Sequence, residues 1–377
     1  MVSPKVEKFL ALENPETPFL VVDLDVVSKK FTQFKMAFSQ TEIFYAVKAN
    51  PATAILRKLV ALGSCFDAAS LSEINRCLEA GAEPRHISYG NTIKKLEDIA
   101  SAYSQGIRLF AFDSEGDLKK LEVAAPGAKV FCRIQVPNMG ALWPLSEKFG
   151  CSVEMAGDLL TKAEQLGLEA YGVSFHVGSQ QTLVEQWELA IARVALIFRK
   201  LLENGIQLKA INLGGGFPVH YRKEVPEVEQ LAALIQKMIT KQFRDQLPTV
   251  MVEPGRYIIA EAGLVRSKIV LVATKSRGAK ERWVYLDVGT YGGLAETMDE
   301  AIQYPIRALS HGTQEGPVII AGPSCDGADI LYRKTKYQLP MTLKSGDYID
   351  VLCAGAYTAS YASVGFNGFS PLREYYL

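Results

Sequence analysis

IFYAVKANPATAILRKLVALGSCFDAAS (residues 43–70) decides the fold. It opens on a short apolar run, continues through a segment with proline near its first turn and apolar residues at helical spacing, stops at Gly63, and starts a second apolar run at Cys65. Proline early and glycine just past the end mark the two termini of a helix, so the stretch reads as one β-α-β unit. The unit recurs along the chain. Further strand-like runs begin at Ile87 (ISYGN), Leu109 (LFAFDS), Lys129 (KVFCRIQV), Ala170 (AYGVSFHV), Leu208 (LKAINLGGG) and Thr249 (TVMVEPGRY), separated by helix-period segments such as VEQWELAIARVALIFRKLLENG (184–205). Eight such runs alternating with helices predict an α/β fold built on a (β/α)8 TIM-like barrel.

After Tyr257 the texture changes. KIVLVATKS, RWVYLDVGT, GPVIIAGPS, YIDVLCAGAY and REYYL are strand-like and joined by turns, which predicts a C-terminal β-sandwich or β-barrel domain. TPFLVVDLD (17–25) either begins the barrel or crosses to that β domain. We place the barrel at residues 24–262 and the β domain at 1–23 plus 263–377.

Composition narrows the function classes. The 377 residues carry 41 basic and 41 acidic side chains, so no net field draws nucleic acid or an acidic membrane surface. With 48% hydrophobic and 22% charged residues the chain is of ordinary globular type. No run approaches the roughly 20 apolar residues of a membrane span, and MVSPKVEKFL lacks the core of a secretory signal, so a cytoplasmic protein is expected. The six cysteines form no CxxC pair and the four histidines show no ligand spacing. No metal site is expected, and buried apolar packing is the default for each cysteine.

In a barrel of this kind the reacting groups stand at the C-terminal strand ends. Read there in order are Lys48, Asp67, Asn91, Asp113, Arg133, His176, Gly214 to Gly216, Glu253 and Arg256. Lys48 sits in an apolar run, where an ammonium is costly; it either forms an imine or reaches out to water or to a barrel carboxylate. The glycines bring backbone N–H groups close to an anion or make a plain tight turn, and their place after strand seven suits a phosphate, for which Arg256 supplies charge. Glu253 ends an apolar strand and needs a partner, either a pyridinium nitrogen or an arginine. His176 either stacks on a flat ring or satisfies the core. Taken together, an imine lysine, a phosphate loop and a ring-nitrogen acid fit pyridoxal 5'-phosphate (PLP).

YAVKAN (45–50), HVGS (176–179), GGGFP (214–218), EPGR (253–256), GPSCDG (322–327) and GAY (355–357), in this order, resemble the barrel-type (fold III, alanine racemase-like) PLP-dependent decarboxylases, specifically their ornithine decarboxylase branch. The likeness runs from about Thr17 to the C-terminus. It implies that Lys48 holds PLP, Glu253 keeps the ring nitrogen protonated and His176 stacks on the ring. Ser179, Gly215, Gly216, Arg256 and Tyr357 would hold the phosphate, with Asp67 and Arg133 lining the pocket. Cys325 would protonate the carbanion and Asp326 bind the distal amine, both in the neighbouring subunit's site, so a homodimer with shared sites is implied, with an amino acid as substrate. Substrate contacts are further implied for Glu300, Asp299 and Phe366.

The chain also departs from that pattern. Glu300 stands where animal-type members carry aspartate, with Glu296 and Asp299 close by, so the acid that reads the distal amine is open among the three. Asn212 precedes the glycines where aspartate is common. The long C-terminal extension of animal forms is lacking, which points to a bacterial-type enzyme without regulation through that tail. The activity implied is decarboxylation of L-ornithine to putrescine in polyamine biosynthesis, with L-lysine to cadaverine as a second reaction. The alternatives are a related decarboxylase acting on diaminopimelate or carboxynorspermidine, a racemase, and a non-catalytic PLP carrier.

Overall fold

The structure is a computed structural model and describes residues 2–143, 148–244, 246–309, 312 and 314–377. The chain divides into two compact units, one of Ser28–Pro218 with Val225–Gly255, the other of Met1–Val27, Val219–Glu224 and Arg256–Leu377. β1 (Phe19–Val22) belongs to the second unit.

The first unit is a closed barrel of eight parallel strands: β2 (Thr41–Ala46), β3 (Cys65–Ala68), β4 (Ile87–Tyr89), β5 (Leu109–Phe112), β6 (Lys129–Arg133), β8 (Glu169–Ser174), β10 (Ala210–Asn212) and β11 (Thr249–Val252). Val252 opposite Ile43 closes the ring. A short antiparallel pair, β7 (Ala141–Trp143) with β9 (Ser179–Gln181), is added outside it. All eight strands expected from the sequence are present, because a strand buried on both faces must be continuously apolar and such runs are conspicuous. Phe44, Ala210 and Met251 form a buried cluster drawn from β2, β10 and β11, with Cys65, Leu109 and Tyr171 packed against it.

Local chemistry sets the helix starts. Ser70, Ser114 and Ser152 each cap a helix, their hydroxyls accepting the N–H of Glu73, Asp117 and Met155 at 3.2–3.4 Å. The helix over Thr53–Ala61 follows Pro51 and is succeeded by Gly63 at φ 76°, as its punctuation predicts.

The second unit is a sheet of eight strands. The path β14 (Ile306–Leu309), β17 (Tyr348–Leu352), β12 (Gly263–Ala273), β13 (Arg282–Leu286), β15 (Glu315–Ala321), β16 (Ile330–Pro340) is antiparallel except for β13 with β15. β12 changes register between Ile269 and Leu271, and its first half also pairs with β1, which in turn pairs in parallel with β18 (Arg373–Tyr376). β14 and β16 were not among the expected strands.

TPFLVVDLD, assigned with residues 1–23 to the β domain, contributes β1 to the β unit. The boundaries at 23/24 and 262/263 shift, since Met1–Val27, Arg256–Ala262 and Val219–Glu224 group with the β strands. The reason is pairing: Asp23 N donates to Ala262 O (2.9 Å), and Gly263 passes so close to Gly355 that a Cβ would stand 2.2 Å from its Cα.

Candidate active site

At the barrel's strand ends, β2 stops at Ala46 and the chain makes a single 3-10 turn, Val47–Ala49. The turn is fixed by Tyr45, whose hydroxyl donates to Asn50 O (3.0 Å), and by Ala46 N, which donates to Pro254 O (3.3 Å). Gly255 is required there, for a Cβ would lie 2.9 Å from Ala49 Cβ. The turn corrects one step of the sequence argument. Lys48 is exposed within that turn, and β2 ends two residues before it.

Around Lys48 the barrel gathers Asp67, Arg133, His176 and Glu253, whose charges act on one another. Asp67 on β3 is buried and accepts from Ser88 Oγ (3.1 Å); burial raises its pKa, opposed by Lys48, Ser88 and Arg133. Arg133 ends β6 with its guanidinium 5.0 Å from the Phe149 ring centre. Burial, then Arg133 and Lys48, hold His176 well below 6.5. Its Nδ1 accepts from Gly178 N (3.0 Å), so the ring is neutral with its proton at Nε2. Glu253 is pushed up to about 7 by burial and by Asp67, against Lys48, Asn212 and Arg133. Its Oε1 accepts from Asn212 Nδ2 (2.6 Å).

The glycine loop lies against this group. Gly214 and Gly216 have φ of 65° and 99°, the left-handed region that favours glycine. A Cβ on Gly216 would stand 2.4 Å from Gly178 O, and one on Gly215 3.1 Å from His176 Nε2. Gln181 N donates to Gly216 O (2.9 Å), tying β9, and with it Ser179, to the loop. A backbone cradle that side chains would fill, an exposed amine, a neutral imidazole and a carboxylic acid of pKa about 7 form the donor set a phosphorylated pyridine aldehyde requires. The residues fit the cofactor.

In the β unit, Arg256 is buried and donates through Nη1 and Nη2 to both oxygens of Glu296 (2.7 and 2.5 Å), and through Nη1 to Tyr221 Oη (2.9 Å). Its guanidinium also lies 4.9 Å from the Tyr357 ring centre, bringing together two residues 101 apart in sequence. Cys325 and Asp326 are exposed in a second cluster. Asn367 Oδ1 accepts from Cys325 N (3.0 Å), Tyr291 Oη donates to Asp326 Oδ2 (3.0 Å), and the Tyr291 and Phe366 rings are 4.7 Å apart.

Two of the three acids proposed to read the distal amine are otherwise engaged. Glu296 is the buried counter-ion of Arg256, and Glu300 accepts the backbone N–H groups of Arg333, Lys334 and Thr335 (2.5–2.7 Å). A carboxylate already engaged by protein donors gives less to a second cation. Asp299 is exposed at φ 54°. The sequence reading missed Ser88, Tyr221, Tyr291 and Asn367, which carry no motif, and noticed Asn212 only as a departure.

The family model for the pyridoxal-dependent decarboxylases, describing their pyridoxal binding domain, matches residues 24–260. The chain is 38% identical over 370 residues to the lysine/ornithine decarboxylase of Selenomonas ruminantium, covering 98% of this chain and 91% of that protein. It is 32% identical to ornithine decarboxylase of Rattus norvegicus, covering 95% and 80%. Among solved structures, lysine/ornithine decarboxylase from Vibrio vulnificus, complexed with cadaverine, superposes with a TM-score of 0.89 at 28% identity over the full length of both chains. The barrel agrees with these likenesses, and the chain belongs to the barrel-type pyridoxal-dependent decarboxylases, on the branch of the ornithine and lysine enzymes.

Proposed function

We infer that this protein decarboxylates L-ornithine to putrescine and carbon dioxide, with L-lysine, giving cadaverine, as a second substrate. The observation that carries the reading is the Glu253 acid, at about 7, set among Lys48, His176 and the glycine cradle on one barrel end. When bound, PLP supplies an electron-withdrawing ring that accepts the electron pair left behind as carbon dioxide departs.

The chain's residues do the rest. Lys48 would hold the cofactor covalently. Glu253 would keep a proton on the ring nitrogen, a task suited to a buried carboxyl raised to about 7, near the operating pH. His176, uncharged, offers a flat face without competing with Glu253 for that proton. Gly215 and Gly216, with Ser179, offer the phosphate its backbone and hydroxyl donors, and Arg256 and Tyr357 are the family's remaining candidates for it. Asp67 and Arg133 line the pocket.

Cys325 delivers the proton to the substrate's α-carbon, and Asp326, held well ionised by Ala328 N and Tyr291, takes the distal ammonium. Both belong to the site of a second copy, and Phe366 packs on Tyr291 beside them. The enzyme is thus a homodimer, and it works in the cytoplasm. Among the described residues no helix is long and apolar enough to cross a membrane.

The test is carbon dioxide release from protein loaded with PLP, run on L-ornithine, L-lysine, L-arginine and meso-diaminopimelate with the amines identified. Release from ornithine with putrescine formed, and a slower release from lysine, is expected. Release from diaminopimelate alone, or a D-isomer without carbon dioxide, would overturn the reading.

A further inference from the structure

Asn212 is the last residue of β10 and is 1% exposed. Its Oδ1 accepts from Gly214 N (2.9 Å) and its Nδ2 donates to Glu253 Oε1 (2.6 Å). The two bonds determine each other. The Gly214 N–H can only donate, so the amide oxygen must face the loop, and the amide nitrogen, which can only donate, must then face the carboxylate. A third bond, Glu253 N to Gly214 O (2.8 Å), closes the ring of contacts from the other side.

We propose that Asn212 is a positioning residue for the reaction: one amide orients the Glu253 carboxylate as an acceptor and fixes the first turn of the glycine loop, so that ring-nitrogen acid and phosphate cradle form one rigid piece. Because a donor N–H binds a carboxylate more strongly than a neutral acid, the same amide favours ionised Glu253. The other groups facing Glu253 are Asp67 on β3, Lys48 after β2 and Arg133 on β6; His176, after β8, lies beside Gly215. Burial and Asp67 favour the protonated form, while Lys48, Asn212 and Arg133 oppose them.

The inference rests on the PLP reading for its catalytic meaning, but not for its physical content. Asn212→Asp separates the two tasks. The new carboxylate still accepts from Gly214 N, and it meets Glu253 with a second negative charge where the amide had donated. Like charges at hydrogen-bond distance share a proton, and the pair's upper titration rises. Asn212→Ser, smaller and uncharged, serves as a second variant.

The measurements are the PLP dissociation constant of apoprotein against pH, followed by absorbance, and the thermal stability of apoprotein against pH, with Glu253→Gln identifying the Glu253 inflection. In Asn212→Asp both inflections are expected to move up by about one pH unit or more, and in Asn212→Ser by less. Inflections unchanged in both variants would overturn the proposal, leaving Asn212 a loop residue only. Wild-type protein that bound no PLP would sink the functional reading, while the apoprotein stability profile would still decide the Asn212 inference.

Discussion

At the scale of single residues, side-chain chemistry is predictable and side-chain employment is not. Lys48, His176 and Glu253 stand where the strand-end rule put them, since a residue's position along a parallel strand fixes the end of the barrel it occupies. Glu296 is different. In sequence it is one acid among three in AETMDE, and only folding carries it to Arg256, 40 residues earlier. With both partners buried, the pair is one whose rupture is costlier than its formation is helpful. Glu296→Ala is expected to destabilise the protein by about 3 kcal/mol or more, because it strands a buried guanidinium. Urea denaturation checks this, and a loss below about 1 kcal/mol would show that water reaches Arg256.

At the scale of elements, the barrel strands were readable because burial on both faces writes an unbroken apolar run. β16 was missed. Its sequence, ILYRKTKYQLP, mixes charged and apolar residues because much of it is exposed, and β14 is only four residues long. One side chain organises the start of β16. Glu300 accepts three consecutive N–H groups from Arg333, Lys334 and Thr335, and these bonds lower its pKa below 4.5 although partial burial raises it. A depressed folded pKa means a contribution present above the unfolded value, 4.5, and lost as pH falls through the folded one. Glu300→Ala is expected to cost about 2 kcal/mol at neutral pH, the worth of charged hydrogen bonds. The gap between variant and wild type should narrow below pH 4.5; a gap that held constant down to pH 3 would assign the loss to packing.

At the scale of the whole molecule, Cys325 and Asp326 are exposed on the single chain, which is intelligible if a second copy covers them. Shared sites make a sharp prediction. Lys48→Ala and Cys325→Ala should each be nearly inactive in forming the diamine. Mixed and allowed to exchange subunits, they should recover up to about a quarter of wild-type activity, since half the dimers are hybrids with one intact site of two. No recovery, with exchange verified by labelled subunits, would place all the catalytic groups in one chain. The sequence by itself determined the barrel, the cofactor class and the six ordered motifs, because periodicity and backbone-constrained glycines act over a few residues and survive in any context. Only the tertiary structure decided that β1 pairs with β12 and β18, that Lys48 is exposed, that Glu296 pairs with Arg256 and Glu300 with the β16 backbone, and that Asn212 bonds both Glu253 and Gly214 N. A fully buried four-residue strand or a lone acid is compatible with many partners, and its partner is fixed by contacts tens to hundreds of residues away.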